Sequence, residues 1–424
     1  MTSRIEEAIG IIRMNDRGGY TVPTNRLYPY QWNWDSAFAA WGFTTFDPDR
    51  GWTELETLMS GQWEDGMLPH ILFHLVDPGY FPGPDVWQGR GPIPSSGISQ
   101  PPVAATFMAK MLAMDPSGEP RARAIWPKLN AWHRWFMDWR LDRGAVCVTH
   151  PWEAGRDNAP DWDGAMKAIN ADDVGDYTRR DTSHVDPAMR PTKYDYDRYL
   201  KLVQLGVSVN WDQSKLRDIN PFRVADPTMT FTLLRAQRDM AAMGRRFGEG
   251  VSEIEGWIEI LEAGAETLWN PEIAGYDSRD VHAGTFNGVL SNASALCWYA
   301  GLNDDRALPA IAGMLNATRY GLASYDPEGE EFEPLRYWRG PTWPIMSYLV
   351  GSGMEEQGVT DLGTRIRDDT ARLMELNGFA EYYSPLDGTP AGGETFTWTA
   401  AVWLGWAGDN RENQLGDAGC RQSN

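Results

Sequence analysis

The chain of 424 residues contains few cysteines and no long apolar run. Its three cysteines, Cys147, Cys297 and Cys420, are odd in number and lack CxxC spacing, which argues against a disulfide framework and for a reducing compartment. No segment approaches the roughly 18 apolar residues of a membrane span, and the first residues lack the apolar core of a signal peptide. We therefore expect a cytoplasmic protein without membrane contact.

Histidines are equally scarce, and the six present form no HxH or HExxH group. His70 and His74 lie four residues apart, and on a helix such a pair can share a metal ion. The same segment also contains a proline and an apolar run, which are equally compatible with a packed loop. We expect neither a metal nor a cofactor.

Basic residues are under-represented, with 38 Lys and Arg against 59 Asp and Glu, and the formal net charge is −21. Nucleic acid and anionic membrane surfaces repel such a protein and are excluded as partners. The charge is compatible with a small neutral molecule, or with a small anion captured by a locally basic pocket.

Apolar residues recur mostly at helical spacing. In the segment 119–140, Trp126, Leu129, Trp132 and Phe136 form one stripe, and we expect these tryptophans to pack in the core. Asp226 followed by proline predicts the start of a helix over 228–246. Similar patterns predict helices over 3–14, 35–45, 51–62, 101–113, 194–207, 251–269, 291–301, 305–316, 342–353, 359–376 and 398–407, and a short strand over 145–149.

About a dozen successive helices favour an all-α fold built from helical hairpins. Six hairpins in a ring make an (α/α)6 barrel whose long loops form a central pocket. An open α-solenoid is the alternative, but its repeats should be self-similar, and the chain has no fixed period. Because no linker-like tract divides the chain, residues 1–424 are expected to form a single domain.

Long loops rich in proline, glycine and aromatic residues interrupt the helices at 20–34, 77–102, 150–193, 318–343 and 377–397. Such loops in a compact domain usually carry function or form a lid, and the polar stretch at 164–193 is the candidate lid. Many of the 21 tryptophans and 16 tyrosines lie in them. Flat aromatic faces stack on sugar rings, so we expect the loop aromatics to contact a carbohydrate.

Three acids among these aromatics are candidates for chemistry. Asp157 lies between glycine, asparagine and proline, which predicts a tight turn, and Glu381 follows a helix-ending Asn-Gly. Glycoside hydrolysis needs two carboxyl groups across the scissile bond. The alternatives are a surface turn without chemistry for Asp157 and a structural carboxylate for Glu381. Asp35 is suited to binding a pair of sugar hydroxyls, to capping the helix after it, or to both.

At these positions the sequence resembles glycoside hydrolase family 63, in particular its small bacterial members that hydrolyse glucosylglycerate or mannosylglycerate. The resemblance covers nearly the whole chain and depends on several motifs in the same order. They are Leu27–Asp35, Gln62–His70, Tyr80–Pro84, Gly97–Pro102, Trp152–Pro160, Arg190–Pro191, Tyr196–Tyr199, Tyr337–Trp343 and Phe379–Tyr383.

The resemblance implies an (α/α)6 barrel and an inverting mechanism without metal. It implies that Asp157 is the general acid and Glu381 the general base. The residues matching those that hold the sugar are Tyr28, Trp32, Trp34, Asp35, Gln100, Trp338 and Trp343. The loop aromatics Tyr80, Trp152 and Trp398 complete the candidate substrate-binding set.

For the glycerate end, the resemblance assigns the carboxylate to Arg190, Tyr196 and Tyr337. An arginine offers two parallel donors to a carboxylate, and phenols supplement them. The alternative for Arg190 is a salt bridge with one of three acids, Asp186, Asp195 or Asp197. One departure concerns Phe396, which stands where a glycerate-binding glutamine is expected. Glycerol, another hydroxy acid or a second sugar therefore stays open as the leaving group.

Together these features predict an inverting α-glycoside hydrolase that releases glucose or mannose from a small glycoside. Glucosylglycerate or mannosylglycerate, which are compatible solutes, is the expected substrate. The alternatives are a trehalase-like or other α-disaccharide hydrolase and a non-catalytic sugar-binding barrel. The sequence leaves open the choice between glucose and mannose and the oligomeric state.

Overall fold

The structure is a computed structural model that describes residues 3–25, 27–180 and 186–408. Most of its regular structure is helical. The helices are α1 (Arg4–Asn15), α2 (Asn33–Thr44), α3 (Pro48–Ser60), α4 (Pro84–Trp87), α5 (Ala104–Met114), α6 (Glu119–Trp139), α7 (Asp163–Met166), α8 (Lys193–Ser208), α9 (Gln213–Ile219), α10 (Pro227–Phe247), α11 (Ser252–Glu266), α12 (Leu296–Ala300), α13 (Leu308–Asn316), α14 (Pro344–Glu356), α15 (Thr360–Asn377) and α16 (Thr397–Val402).

The strands are short and antiparallel. They are β1 (Gln31–Trp32), β2 (Ile71–Leu72), β3 (Leu141–Asp142), β4 (Ala145–Val148), β5 (Val224–Ala225), β6 (Trp269–Asn270), β7 (Gly275–Tyr276), β8 (Arg279–Asp280), β9 (Thr285–Phe286), β10 (Tyr382–Tyr383) and β11 (Pro390–Ala391). One sheet has the order β3-β4-β5-β8-β9, and β1-β2, β6-β7 and β10-β11 form separate pairs. In the larger sheet Cys147 lies opposite Ala225.

The helical prediction is confirmed for the described residues, and most helices lie within a few residues of their expected bounds. Asp226 caps α10 as expected, because its Oδ2 accepts a hydrogen bond of 3.0 Å from the backbone N–H of Met229. The five-stranded sheet was not expected beyond its longest strand, β4. Two-residue strands are too short to show alternation in a sequence, which explains the omission.

The helices pack in a cyclic order. Helix α2 contacts α5, α5 contacts α10, α10 contacts α12, α12 contacts α14, α14 contacts α16, and α16 returns to α2. On their other sides, α3, α11 and α15 pack against α2, α10 and α14. Every residue of α2, α12 and α16 is buried, whereas α3, α11 and α15 each have one buried stripe. Two layers of helix therefore exist, a buried one and an amphipathic one.

Three tryptophans of α6, Trp126, Trp132 and Trp135, are buried in the core as expected, whereas Trp139 is half-buried. His70 and His74 flank β2 and are not on a helix, and they bind Ser96 and Gln31. In the predicted lid the described part contains α7 and a 3-10 turn at Pro187–Met189, while residues 181–185 lie outside the described residues. No helix in the described ranges is long and apolar enough to cross a membrane.

A buried carboxylate joins α3 to the segment that begins α2. Glu54 has no exposed surface, and its Oε1 accepts hydrogen bonds from Ser36 Oγ (2.7 Å) and Gln31 Nε2 (3.1 Å). Its Oε2 accepts from Thr21 Oγ1 (2.7 Å) and Arg50 Nη2 (2.8 Å). The donors lie before β1 (Thr21), in β1 and α2 (Gln31 and Ser36) and on α3 itself (Arg50), so this side chain ties the start of α2 to α3.

We expect Glu54→Gln to lower the free energy of unfolding by about 3 kcal/mol. The substitution leaves Arg50 without its buried acidic partner, and it places the amide NH2 of glutamine against groups that themselves donate hydrogen bonds. Glu56→Gln on the same helix removes an exposed ion pair with Arg121 and should change the free energy of unfolding by less than about 1 kcal/mol. Chemical denaturation of both variants makes the comparison. Equal losses would mean that the Glu54 network does not hold α2.

Candidate active site

Long loops at one end of the helices surround a cavity with about 1010 Å³ of empty space, which includes the solvent at its open mouth. Its wall brings together most of the residues that the sequence singled out. Those lining the cavity are Tyr28, Trp32, Trp34, Asp35, Tyr80, Gln100, Trp152, Asp157, Arg190, Tyr196, Tyr337, Glu381 and Trp398.

Two expected sugar contacts, Trp338 and Trp343, are not among the residues that line the cavity. Their rings stack with centroids 4.0 Å apart, and they are 1% and 0% exposed. Trp338 faces Trp34, and Trp343 packs against the ring of Tyr337. Both tryptophans therefore lie one layer behind the wall and support the residues that form it.

The start of α2 carries one side of the cavity. The helix begins at Asn33 after Trp32, whose side chain makes no capping bond, and Gln100 Oε1 instead accepts a hydrogen bond of 3.1 Å from the Trp34 N–H. Asp35 lies within the first turn, so the alternative that it caps the helix is wrong. Burial raises the pKa of Asp35 well above that of an ordinary carboxyl, and the negative charge of Glu381 raises it further.

Glu381 follows the end of α15 and is fully buried at the cavity wall. Its Oε1 accepts hydrogen bonds from the phenols of Tyr28 (3.2 Å) and Tyr337 (3.0 Å). Its Oε2 accepts from the backbone N–H of Gly393 (2.8 Å). The carboxylate is thus held in one orientation and still borders the cavity, a combination that a purely structural role does not require.

Burial raises the pKa of Glu381 above its ordinary value, and the positive charge of Arg190 and three hydrogen bonds oppose that effect. Burial also raises the pKa of Tyr28 and Tyr337 well above the ordinary phenol value. Both phenols therefore stay neutral and act as hydrogen-bond donors to the carboxylate. The Glu381 carboxylate is therefore held in a fixed position by three donors.

Arg190 lies at the same wall, with its Nη2 donating to the Tyr28 hydroxyl (2.8 Å) and its guanidinium 4.5 Å from the Tyr337 ring centre. The three acids named as alternative partners make other hydrogen bonds. Asp195 pairs with Thr192. Asp186 accepts a hydrogen bond from the backbone N–H of Ala188. Asp197 accepts hydrogen bonds from Lys193 and Tyr177. The guanidinium is directed to the cavity wall.

Another part of the wall is aromatic. Tyr196 donates from its hydroxyl to the carbonyl of Phe81 (3.1 Å), and its ring meets Trp152 at 6.0 Å. Tyr80 packs edge-on against Trp32 at 5.7 Å. These contacts keep broad, rigid ring faces around the cavity, which is the kind of surface that stacks on a pyranose.

Asp157 lies in a tight loop, as the sequence predicts. The loop lies between two 3-10 turns, Pro151–Ala154 and Pro160–Trp162, and Gly155 adopts the left-handed φ of 67°. A Cβ there would collide with the indole of Trp34, so glycine is required at this position. Asp157 lines the cavity, and its charge contributes to the raised pKa of Tyr337. The charges of both candidate acids, Asp157 and Glu381, therefore act on the Tyr337 phenol.

Several residues line the cavity without having been selected from the sequence. Among them are His70, Trp87, Phe81 and Arg180. His70 is buried, which lowers its pKa well below the ordinary value and keeps the imidazole neutral. Its place in a motif shared with the resembling family was the available signal. For Trp87 the signal was its place in the aromatic loop 77–102, and Arg180 had none. Phe396 also lines the cavity, with its ring 4.3 Å from Trp398 and 6.0 Å from Tyr28.

Comparison with known proteins decides the family. Residues 28–399 match the sequence model of the mannosylglycerate hydrolase MGH1-like glycoside hydrolase domain. The chain belongs to this family. Among curated members, a mannosylglycerate hydrolase of Thermus thermophilus is 42% identical over 94% of this chain and 99% of its own length. A glucosylglycerate hydrolase of Mycolicibacterium hassiacum is 33% identical over 96% of this chain and 98% of its own length.

Solved structures agree with this membership. The family 63 mannosylglycerate hydrolase of Thermus thermophilus, in complex with Tris and D-glycerate, superposes with a TM-score of 0.92 at 43% identity, covering 95% of this chain and 100% of its own. The resemblance to glycoside hydrolase family 63 is thereby confirmed. A neutral trehalase of Saccharomyces cerevisiae, at 16% identity and a TM-score of 0.60, shares the fold alone.

Gly392 should be indispensable to the position of Glu381. Its φ is +74°, and a Cβ would overlap with the Glu381 carboxylate. We expect Gly392→Ala to lower stability by about 1–2 kcal/mol through backbone strain and, in addition, to abolish most hydrolytic activity by displacing the carboxylate. Denaturation and activity assays measure the two effects.

Gly248 supplies the matched control. It ends α10 with a φ of +78° and has open space where a Cβ would be. Gly248→Ala should show a similar loss of stability with unchanged activity. Full activity of Gly392→Ala would mean that Glu381 tolerates displacement.

Proposed function

We propose that the protein is an inverting α-glycoside hydrolase that releases mannose or glucose from mannosylglycerate or glucosylglycerate. The observation that carries the proposal is the meeting of Asp157 and Glu381 in one aromatic cavity that also contains a buried arginine. Membership of the mannosylglycerate hydrolase MGH1-like family supports the reaction type. Relatives at 42% and 33% identity are named for one or the other of the two substrates, which supports the substrate class.

In this proposal Asp157 donates a proton to the glycosidic oxygen as the bond to the sugar breaks. Glu381 accepts a proton from a water molecule that attacks the anomeric carbon on the opposite face. A single displacement of this kind inverts the anomeric configuration. Tyr28 and Tyr337 orient Glu381 and, as neutral donors, stabilise its charged form before it takes the proton.

The sugar lies among Trp32, Trp34, Asp35, Gln100 and Trp398, where stacking and hydroxyl contacts are both available. The carboxylate of the leaving group binds near Arg190, with Tyr196 and Tyr337 beside it. A local guanidinium explains how a chain of net charge −21 accepts an anion. Arg180, which also lines the cavity, adds to the positive potential there.

Phe396 supports a second candidate within the same reaction class. A phenyl ring cannot donate a hydrogen bond to glycerate, but it can stack on a sugar. An α-disaccharide is therefore the alternative substrate, with trehalase-like activity as one case, and glycerol or another hydroxy acid is a further leaving group that needs no amide there.

The fold is part of the proposal. We infer a closed (α/α)6 barrel in a single domain, supported by the cyclic contacts of α2, α5, α10, α12, α14 and α16. One hydrophobic cluster runs from Ala8 to Ala407 and supports a single domain. The segment 164–193 acts as a lid that excludes water from the bound glycoside. The free thiols of Cys147 and Cys297 are compatible with a cytoplasmic location.

The test replaces each acid by its amide. We expect Asp157→Asn and Glu381→Gln each to lower kcat by about 10³-fold on mannosylglycerate or glucosylglycerate, because each removes one proton transfer. Glu56→Gln, far from the cavity on α3, should leave it unchanged. Proton NMR of the first product identifies the sugar and its anomer. Near-normal kcat in either amide variant, or a retained anomer, would overturn the assigned roles, and turnover of trehalose alone would favour the alternative.

The activity should depend on pH through Glu381. A base must be deprotonated, and its raised pKa sets the loss of kcat/KM on acidification at a higher pH than an ordinary glutamate would. The charge of Arg190 lowers that pKa, so Arg190→Gln should move the acidic limb to higher pH, and Arg190→Lys should move it less. An acidic limb at the same pH in all three proteins would contradict the assignment of Glu381 as the base.

A further inference from the structure

A buried ion cluster lies directly behind the Asp157 loop. Arg156 has no exposed surface, and its two Nη atoms donate to Asp161 at 3.0 and 3.1 Å. Nη2 also donates to Asp226 (2.9 Å), and Nη1 donates to Ser291 Oγ (3.2 Å). The side chain that precedes the proposed acid is therefore anchored in the interior and makes no contribution to the cavity wall.

This cluster joins the loop to the buried layer of helices. Asp226 caps α10, so Arg156 is tied to the first turn of that helix. Ser278, just before β8, donates to Asp161 (3.1 Å), and the indole of Trp162 donates to the backbone carbonyl of Arg156 (2.6 Å). The backbone on the N-terminal side of Asp157 is thus held by a helix, a sheet and its own 3-10 turn.

A second contact holds the residue itself. Tyr199, on α8, is buried and donates from its hydroxyl to the backbone carbonyl of Asp157 (2.7 Å). Burial raises the pKa of Tyr199 well above the ordinary phenol value, so the phenol remains a donor. Its ring packs against Trp152 at 5.2 Å, on the aromatic wall of the cavity.

Stability alone does not account for the Arg156 cluster. Two carboxylates face one guanidinium in the interior, and a buried ionic group of this kind is often no more stabilising than well-packed apolar residues. Its distinguishing property is directional, since a guanidinium with paired acceptors fixes the backbone that carries it. Asp157 and Gly155 are the residues of this loop that line the cavity, and Arg156 between them does not.

We propose that Tyr199 and Arg156 are positioning residues that hold the Asp157 carboxyl against the glycosidic oxygen. The inference rests on the proposed function and extends it to two residues that do not touch the substrate. Proton donation depends steeply on geometry, and a displacement of about 1 Å can lower a rate by roughly 10²-fold. Losing either contact should therefore weaken proton transfer to the leaving group specifically.

The experiment compares two substrates of the same sugar. A glycerate glycoside needs a proton on its leaving oxygen. In the corresponding α-glycosyl fluoride the leaving group is a fluoride ion, which departs with little help from an acid. We expect Tyr199→Phe to lower kcat on the glycerate glycoside by roughly tenfold and on the fluoride by less than about twofold. Arg156→Lys, which keeps the charge but loses the paired donors, should show the same contrast.

Tyr276→Phe is the matched control, because it also removes a buried phenol hydrogen bond (2.6 Å, to Asp304) but does not line the cavity. It should leave both rates unchanged. Equal losses of kcat on the two substrates in Tyr199→Phe, or no loss on either, would overturn the positioning role. The Asp157→Asn variant separates this outcome from a failure of the proposed function. If that variant kept its activity on the glycerate glycoside, Asp157 would not be the general acid.

Discussion

A carboxylate with no exposed surface must find hydrogen bonds and a compensating charge inside the protein, and Glu381 imposes this requirement on the whole cavity. Its partners come from segments far apart in the sequence: Tyr28 before β1, Arg190 before α8, Tyr337 before α14 and Gly393 after β11. The loops that carry them can meet only if the helices they connect are packed around a common centre. The packing of the helices and the geometry around Glu381 therefore depend on each other.

The two acids of the cavity are held in different ways, and the difference matches the chemistry proposed for them. Glu381 is fixed through its own oxygens by donors, which favour the charged form needed by a base. Asp157 is fixed through its backbone, by Tyr199 at its carbonyl and by Arg156 one residue earlier, and the residue lines the cavity. Backbone anchoring of this kind sets the position of a proton donor relative to the leaving oxygen.

Much of the fold could be predicted because helices of three or more turns leave a periodic record of burial, as α6 and α10 do. The candidate site was also largely predictable, since most of its residues lie in motifs on long loops. The errors concern depth. Trp338 and Trp343 have the same chemistry as Trp32 and Trp34, yet they lie behind the wall. Asp35, for which a capping role was one alternative, lies inside the first turn of α2. The type of a residue indicates which groups its side chain could bind, but only its position in the fold decides whether the side chain reaches the cavity.

By itself, the sequence determined the helical character of the chain, its aromatic loops, its acids and its family, because periodicity, composition and ordered motifs are local properties. Only the tertiary structure decided that Glu381, Tyr28, Tyr337 and Arg190 share one hydrogen-bonded group, and that Arg156 turns inward to Asp161 and Asp226 while its neighbour Asp157 faces the cavity. Apart from Arg156 and Asp161, which are five residues apart, these pairings join residues from distant parts of the chain. Their existence follows from the satisfaction of buried charge in three dimensions, which no linear spacing encodes.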